Sequence, residues 1–408
     1  MVGMRALGPA LALLVACSGE VSGVGGDGGP GGGDGGSGGG GADAAAAVDE
    51  SAELYDPQAF PRFDIELPPA SVTALENDPA TYATGTLRYG DEVVANIGVR
   101  LKGEYTFRPL SQKASFKLKF DEFVPDQRFR GLKHMTFNNG FEDPSFVAER
   151  LVYLAFRNAD LPAPRANSAE VWVNGAAYGV YNNIETEDKP FVRRWFADDE
   201  GNVYEEQGVD WQPGNEEGFE LETNEEVGDR SDLTALFAAI DGAADDTLLA
   251  DVAGIVDTDR FLRYCALEGL VNQWDGYAYT QFGPNNYRMY HDPSTGHFSI
   301  LPWGMDMAMK PLGDNDYVDV HSAAGLLLSR CLGVESCRAA YDAVLAEETD
   351  RFEALGLDQV AEAAYQQIRD QVYADPRKEH SNEEFDATYA RVLEFTRERP
   401  ASVRAQLP

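Results

Sequence analysis

The sequence predicts an α+β chain of two lobes, the first rich in strands and the second helical. Three observations carry this prediction. Between residues 60 and 185, apolar and polar side chains alternate with the period of strands, interrupted by one helix-like stretch. From about residue 190 the pattern changes, and helical periodicity covers 232–240, 258–273, 334–354, 358–373 and 382–398. Within the helical part lies a hairpin-like pair of runs, 285–290 and 300–306, joined by Asp292-Pro293-Ser294-Thr295-Gly296.

The chain opens on a segment that reads as a signal peptide, residues 1–17. Arg5 supplies the positive end, and the apolar run Leu7–Ala16 is too short for a membrane span. Its end, Leu14-Val15-Ala16-Cys17, resembles a bacterial lipobox with Cys17 as the lipidated residue. Residues 18–50 are dominated by glycine and read as a disordered tether. These features predict a cell-envelope lipoprotein held at the outer membrane or cell surface. The formal net charge is −36, from 33 Lys and Arg against 69 Asp and Glu. That excess argues against nucleic acid and against an anionic lipid face, and it favours cations or a basic partner.

Taken in order, Phe63–Leu67 alternates, as does Val93–Leu101. Ser115–Phe120 puts Phe116, Leu118 and Phe120 on one face with Lys117 and Lys119 on the other. The one helix is expected to start at Asp143-Pro144, a cap and first-turn pair, and to run to Asn158. Val171-Trp172-Val173, the turn Asn174-Gly175 and Tyr178–Ile184 read as a hairpin. Residues 197–230 read as acidic loop. Cys331 and Cys337 flank a short loop and are expected to pair, while Cys265 lies in an apolar helical run as a buried thiol. His134, His291, His297, His321 and His380 are scattered and read as structural, with no zinc spacing.

The hairpin is the chemical signal. It brings Asn285 and Asn286 to the same end as Asp306, and amide and carboxylate oxygens suit Mg²⁺ or Mn²⁺ completed by substrate phosphates, with Ca²⁺ as an alternative. Asp275, about ten residues before the paired asparagines, is placed to accept a proton from an attacking hydroxyl. The loop between Arg100 and Lys117 carries glycine, hydroxyls and cations that could lie over phosphates; the competing reading is an amphipathic hairpin with lysines facing water. Lys117 is the candidate phosphate-pairing lysine, with Lys119 on the same face and Lys102 and Lys113 assisting. Glu149, on the helix, is the carboxylate that would hold it. Asp314–Asp319 looks calcium-like but lacks the glycine and glutamate of an EF-hand loop. A β-rich lobe, a helical lobe and a metal-type hairpin form the plan of a protein kinase.

Taken together, several pieces resemble the CotH family, the spore-coat kinases with an atypical protein-kinase fold. They are Val99–Gly103, Lys113–Phe120, Phe137–Asn139 with Asp143–Ser145, Leu161–Arg165, Val173–Gly175 with Tyr178–Tyr181, Glu185, Asn285–Tyr287 and Pro302–Asp306, in order across about 60–310. The resemblance implies a domain over 58–400, with lobes meeting near 190. It implies transfer of the ATP γ-phosphate, with Mg²⁺ or Mn²⁺, to Ser or Thr of an extracytoplasmic protein or of the chain itself. It also implies that Asp275 is the catalytic-loop aspartate, Asn285 or Asn286 the metal asparagine, Asp306 the metal aspartate and Glu185 a residue beside the adenine. Two positions depart. Gly304 stands where relatives often have an acid (Trp-Asp-x-Asp), and Tyr204-Glu205-Glu206 stands where they often carry Tyr-Lys. The alternative is a surface binding module, taking calcium, a basic protein or a glycan, that kept the fold without the catalysis.

Overall fold

The computed structural model describes residues 49–103, 105–311 and 317–408, which include one compact unit from Asp49 to Pro408. The expected signal peptide, nearly all of the tether and Asp314–Asp316 of the calcium-like run lie outside the described residues. Among the described residues no helix is long and apolar enough to cross a membrane.

The first half is a closed seven-stranded barrel. Its strands are β1 (Arg62–Glu66), β2 (Ala83–Tyr89), β3 (Glu92–Lys102), β4 (Ser115–Lys119), β5 (His134–Asn138), β6 (Ala166–Val173) and β7 (Ala176–Ile184), in the order β1-β2-β3-β4-β5-β7-β6. Alternation decides which side chains face in. Val99, Leu101, Phe116, Leu118 and Phe137 fill the barrel and are at most 2% exposed. Arg100, Lys102 and Lys117 therefore stand on its outer face, where β3 and β4 pair Arg100 with Lys117 and Lys102 with Ser115. Asn174-Gly175 makes the β6–β7 turn, both residues at positive φ.

Two helices belong to this half rather than one: α1 (Pro69–Asn77) and α2 (Ala148–Asn158). The second begins four residues after Pro144, where its start was expected. Asp143 is buried in a turn ahead of it, and the Ser145 hydroxyl accepts from the Val147 and Ala148 amides at 3.2 and 3.3 Å. Asp143 Oδ2 accepts the Glu149 amide at 3.4 Å, so Ser145 and Asp143 share the capping that Asp143 was expected to do.

After α3 (Lys189–Trp195) comes a second correction. The stretch read as acidic loop holds β8 (Asn202–Glu206) and β9 (Phe219–Leu221), which join β10 (Tyr287–Asp292) and β11 (His297–Pro302) in a sheet of order β11-β10-β8-β9. Helices complete the chain: α4 (Ser231–Gly242), α5 (Leu248–Val252), α6 (Thr258–Leu270), α7 (Leu326–Leu332), α8 (Glu335–Ala354), α9 (Leu357–Ala374) and α10 (Asn382–Arg404). Asp257 caps α6 through the Arg260 amide, and Ser381 with Glu384 forms a capping box on α10. Cys331 and Cys337 are disulfide-bonded across the α7–α8 junction, and Cys265 is a buried free thiol. Two main apolar cores result, one inside the barrel and one among the helices and the second sheet.

Candidate active site

A cleft of about 980 Å³ opens between the outer face of β3–β5 and the ends of the second sheet. Seven of the ten residues singled out in the sequence line it: Lys102, Lys117, Glu149, Asp275, Asn285, Asn286 and Asp306. The other three stand elsewhere. Lys113 is buried against Asp375, in the loop between α9 and α10. Lys119 pairs with Glu122 at 2.8 Å on the barrel surface. Glu185 is buried between Arg165 and Arg194.

The two lysines of the cleft divide the work differently from the expectation. Lys102 ends β3, and its Nζ donates to Asn138 Oδ1 at 2.7 Å. Asn138 Nδ2 donates in turn to Glu149 Oε1 at 3.0 Å, and Asn182 Nδ2 to Glu149 Oε2 at 3.2 Å. Asn138 and Asn182 are cross-strand partners on β5 and β7, so the barrel register fixes both donors beneath the helix that carries Glu149. Lys102 is thus the lysine facing Glu149. Burial holds its ammonium below the usual range, while Glu149 and Asp306 pull it back up. Glu149 is pushed up to about 8, first by burial and then by the charge of Asp306.

Lys117, two positions along on the neighbouring strand, points instead at Glu222, with Nζ to Oε2 at 3.5 Å. Glu222 belongs to a larger cluster around Arg288, which is 1% exposed on β10. The Arg288 guanidinium pairs with Glu205, lies 3.6 Å from Glu187 and from Glu222, and stacks 3.9 Å over the Trp303 ring. Reading the sequence assigned no role to Arg288 or to Asn138. A lone cation inside Tyr287-Arg288-Met289-Tyr290, an otherwise apolar strand, was the available signal.

On the opposite wall, Asn286 Nδ2 donates to the backbone oxygen of Asp275 at 2.9 Å and to its Oδ2 at 2.7 Å. Burial raises the Asp275 carboxyl above its ordinary value, and hydrogen bonds from Asn285 and Asn286 oppose that rise. Asp306 sits in a single helical turn just after β11; burial raises its carboxyl too, against the pull of Lys310 and Lys102. Lys310 is itself held by Glu142, through the backbone oxygen at 2.6 Å.

Among the described residues no three His, Cys, Asp or Glu converge as a self-sufficient metal cage. Among the residues lining the cleft, Asp275, Asp306, Asn285 and Asn286 offer two carboxylates and two amides, whose oxygens can ligate a cation. That chemistry fits Mg²⁺ or Mn²⁺ whose shell is completed by phosphate oxygens, and cations at Lys102 and Lys117 on the facing wall fit the phosphates themselves.

The family profile described as CotH kinase protein matches residues 99–403, most of the chain. The chain belongs to the CotH family. Among curated CotH relatives, it is 25% identical to inner spore coat protein H of Bacillus subtilis (strain 168), over 70% of this chain and 81% of that protein. It is 24% identical to invasin CotH2 of Rhizopus delemar, over 60% of this chain and 43% of the invasin, and 24% identical to invasin CotH3, of which it covers 39%. The chain thus spans less than half of either invasin. Among solved structures, HipA in the HipA–HipB–operator DNA complex of Shewanella oneidensis MR-1 is similar over 86% of this chain and 75% of that one. Its identity is 11% and its TM-score 0.33, a level that carries no argument about this CotH chain. The departure at Gly304 has a local explanation. The residue is left-handed (φ 58°, ψ 45°), and a Cβ there would lie 2.2 Å from Asn286 Oδ1.

Proposed function

We propose that this CotH protein transfers the γ-phosphate of ATP to Ser or Thr hydroxyls of an extracytoplasmic protein, or of its own chain. The observation that carries the reading is the convergence, in one cleft, of the Lys102–Asn138–Glu149 relay with Asp275, Asn285, Asn286 and Asp306. Bound Mg²⁺ or Mn²⁺ would supply positive charge against the phosphates, held by Asp306 with Asn285 or Asn286. Lys102 sets a cation against phosphate oxygens, its position fixed through Asn138. Asp275 orients the acceptor hydroxyl and takes its proton as the new oxygen–phosphorus bond forms and the bond to ADP breaks. Asn286 holds Asp275 for that task. The lipobox at Cys17, the glycine-rich tether and the names of the coat and invasin relatives support a place on the cell envelope.

A second reading is a surface binding module without transfer activity. Gly304, where relatives often have an acid, and Glu205, Glu206, Glu220 and Glu222 on the cleft wall favour it, since those acids repel phosphate.

The test is thermal stability with ATP, Mg²⁺, Mn²⁺ and Ca²⁺, singly and in pairs, alongside Asp306→Ala and Lys102→Met. Ligand at 100 times its dissociation constant adds about 2.7 kcal/mol. The kinase reading expects stabilisation by nucleotide with metal together, lost in Asp306→Ala, and phosphate transfer reduced about 10²-fold or more in Lys102→Met. Stabilisation by Ca²⁺ alone, with no nucleotide effect, would replace it with the binding module.

A further inference from the structure

We infer that the connection between α9 and α10, Asp375–His380, braces the loop that follows Lys102 and walls the cleft, and that Arg377 and Glu379 are positioning residues for nucleotide. The role rests on the kinase reading above and extends it to a segment none of whose residues is among those lining the cleft.

The braced loop is 103–114, the connection between β3 and β4. It begins directly after Lys102, and Gly103, Tyr105, Thr106 and Phe107 line the cleft. A connection of this length between paired strands has many conformations open to it and needs fastening to hold one of them. On the cleft side Tyr105 is 86% exposed. The fastening comes from behind, through Asp375, Arg377, Glu379 and His380.

Arg377 places Nη1 against three consecutive backbone oxygens, those of Leu110, Ser111 and Gln112, at 3.4, 3.0 and 3.0 Å. Carbonyls pointing one way concentrate partial negative charge, as at the end of a helix, and a cation there neutralises it. The same guanidinium lies 3.9 Å over the Tyr178 ring, whose hydroxyl donates to the Leu110 oxygen at 2.7 Å. Glu379 pairs with the Arg108 guanidinium, accepting from its Nη2 at 3.1 Å. Arg108 is stacked 3.8 Å over Phe141, whose backbone oxygen meets His380 Nε2 at 2.8 Å. Lys113 and Asp375 hold the other end of the loop. Gly179 leaves room for them, since a Cβ there would lie 1.9 Å from Asp375 Oδ2. From the barrel, Asn139 Nδ2 donates to the Thr106 and Lys113 backbone oxygens at 3.3 and 2.9 Å. Asn139 adjoins Asn138, so the loop and the residue that places Lys102 share one support.

The test measures the dissociation constant of ATP with Mn²⁺ on the full chain, alongside amide hydrogen exchange of the ligand-free protein. The variants are Arg377→Met, which keeps a stem over Tyr178 without the donors, and Glu379→Ala, at an exposed position. Arg404→Ala is the control, because it breaks a surface pairing of α10 with Asp350 and Glu353 on α8. Each brace variant is expected to raise the dissociation constant about tenfold, within the usual range of coupling between separate sites. Exchange should quicken at residues 105–112 and stay unchanged in α6, whereas Arg404→Ala should alter neither affinity nor loop exchange. Unaltered nucleotide binding in both brace variants overturns the positioning role and leaves the kinase reading standing. Exchange that quickens equally in α6 overturns it too, since lost affinity would then reflect a weakened fold. A wild type that binds no nucleotide removes the kinase reading itself, and the positioning role with it.

Discussion

Gly304 occupies a backbone conformation that favours glycine, and Asn286 Oδ1 stands 2.2 Å from where a Cβ would be placed. Restoring an acid at this position by Gly304→Asp therefore does not add a metal ligand to the existing site. It forces Asn286 away from Asp275, whose side chain it holds at 2.7 Å. The left-handed conformation and the overlap together are expected to cost about 2–4 kcal/mol. Urea denaturation of Gly304→Ala and Gly304→Asp checks this, and Mn²⁺-dependent nucleotide binding should weaken in both. Stronger metal binding by Gly304→Asp at unchanged stability would show that Asn286 moves freely and that the two positions are independent. The same scale explains why Lys117 was preferred over Lys102 in the sequence. Both are polar positions on alternating strands, but only the β3–β4–β5 register reveals that Asn138 and Glu149 lie beneath Lys102.

At the scale of elements, the Arg288 cluster ties the β7–α3 connection (Glu187), β8 (Glu205) and the residue that follows β9 (Glu222) to β10. Glu187 is fully buried, and burial pushes its carboxyl up to about 8, with Arg288 pulling it down and Glu205 and Glu222 adding to the rise. A carboxyl whose folded value exceeds its unfolded value near 4.5 keeps a proton in the folded state that the unfolded chain releases. Its contribution to stability is thus greatest below about 4.5 and is lost as pH rises towards 8. Glu187→Gln should flatten the fall in stability between pH 5 and 8, measured by urea midpoints at each pH. An unchanged slope would mean that Arg288 keeps Glu187 ionised throughout. This cluster also marks the limit of what was legible. The helices were readable because their caps and periodicity are local, as at Ser381 and Glu384, and the 287–302 hairpin was readable from its turn. β8 was not, because Glu205 looks solvated until its partner Arg288, 83 positions later, is placed opposite it.

Across the whole molecule the same lesson holds for charge. Lys113 was read as a phosphate contact, yet it is 2% exposed and joined to Asp375, which the Val180, Arg377 and Lys378 amides also address. It ties the loop after α9 to the barrel, a long-range pairing that no local pattern announces. Many of the chain's cations are spent in such pairs, and the excess of acids is left to repel itself. With a net charge of −36, that repulsion is expected to outweigh the surface ion pairs, each worth at most about 1 kcal/mol. The screening length falls from roughly 30 Å at about 0.01 M salt to about 10 Å at about 0.1 M. It thereby weakens repulsion between distant acids more than attraction across pairs in contact. Melting temperature should therefore rise as NaCl is raised through this range. If it fell, the ion pairs would dominate the electrostatics and the acidic surface would cost the fold little. Adding Mg²⁺ at matched ionic strength separates the two contributions of a cation. Screening alone gives the same rise as Na⁺, whereas any excess rise that vanishes in Asp306→Ala belongs to the cleft.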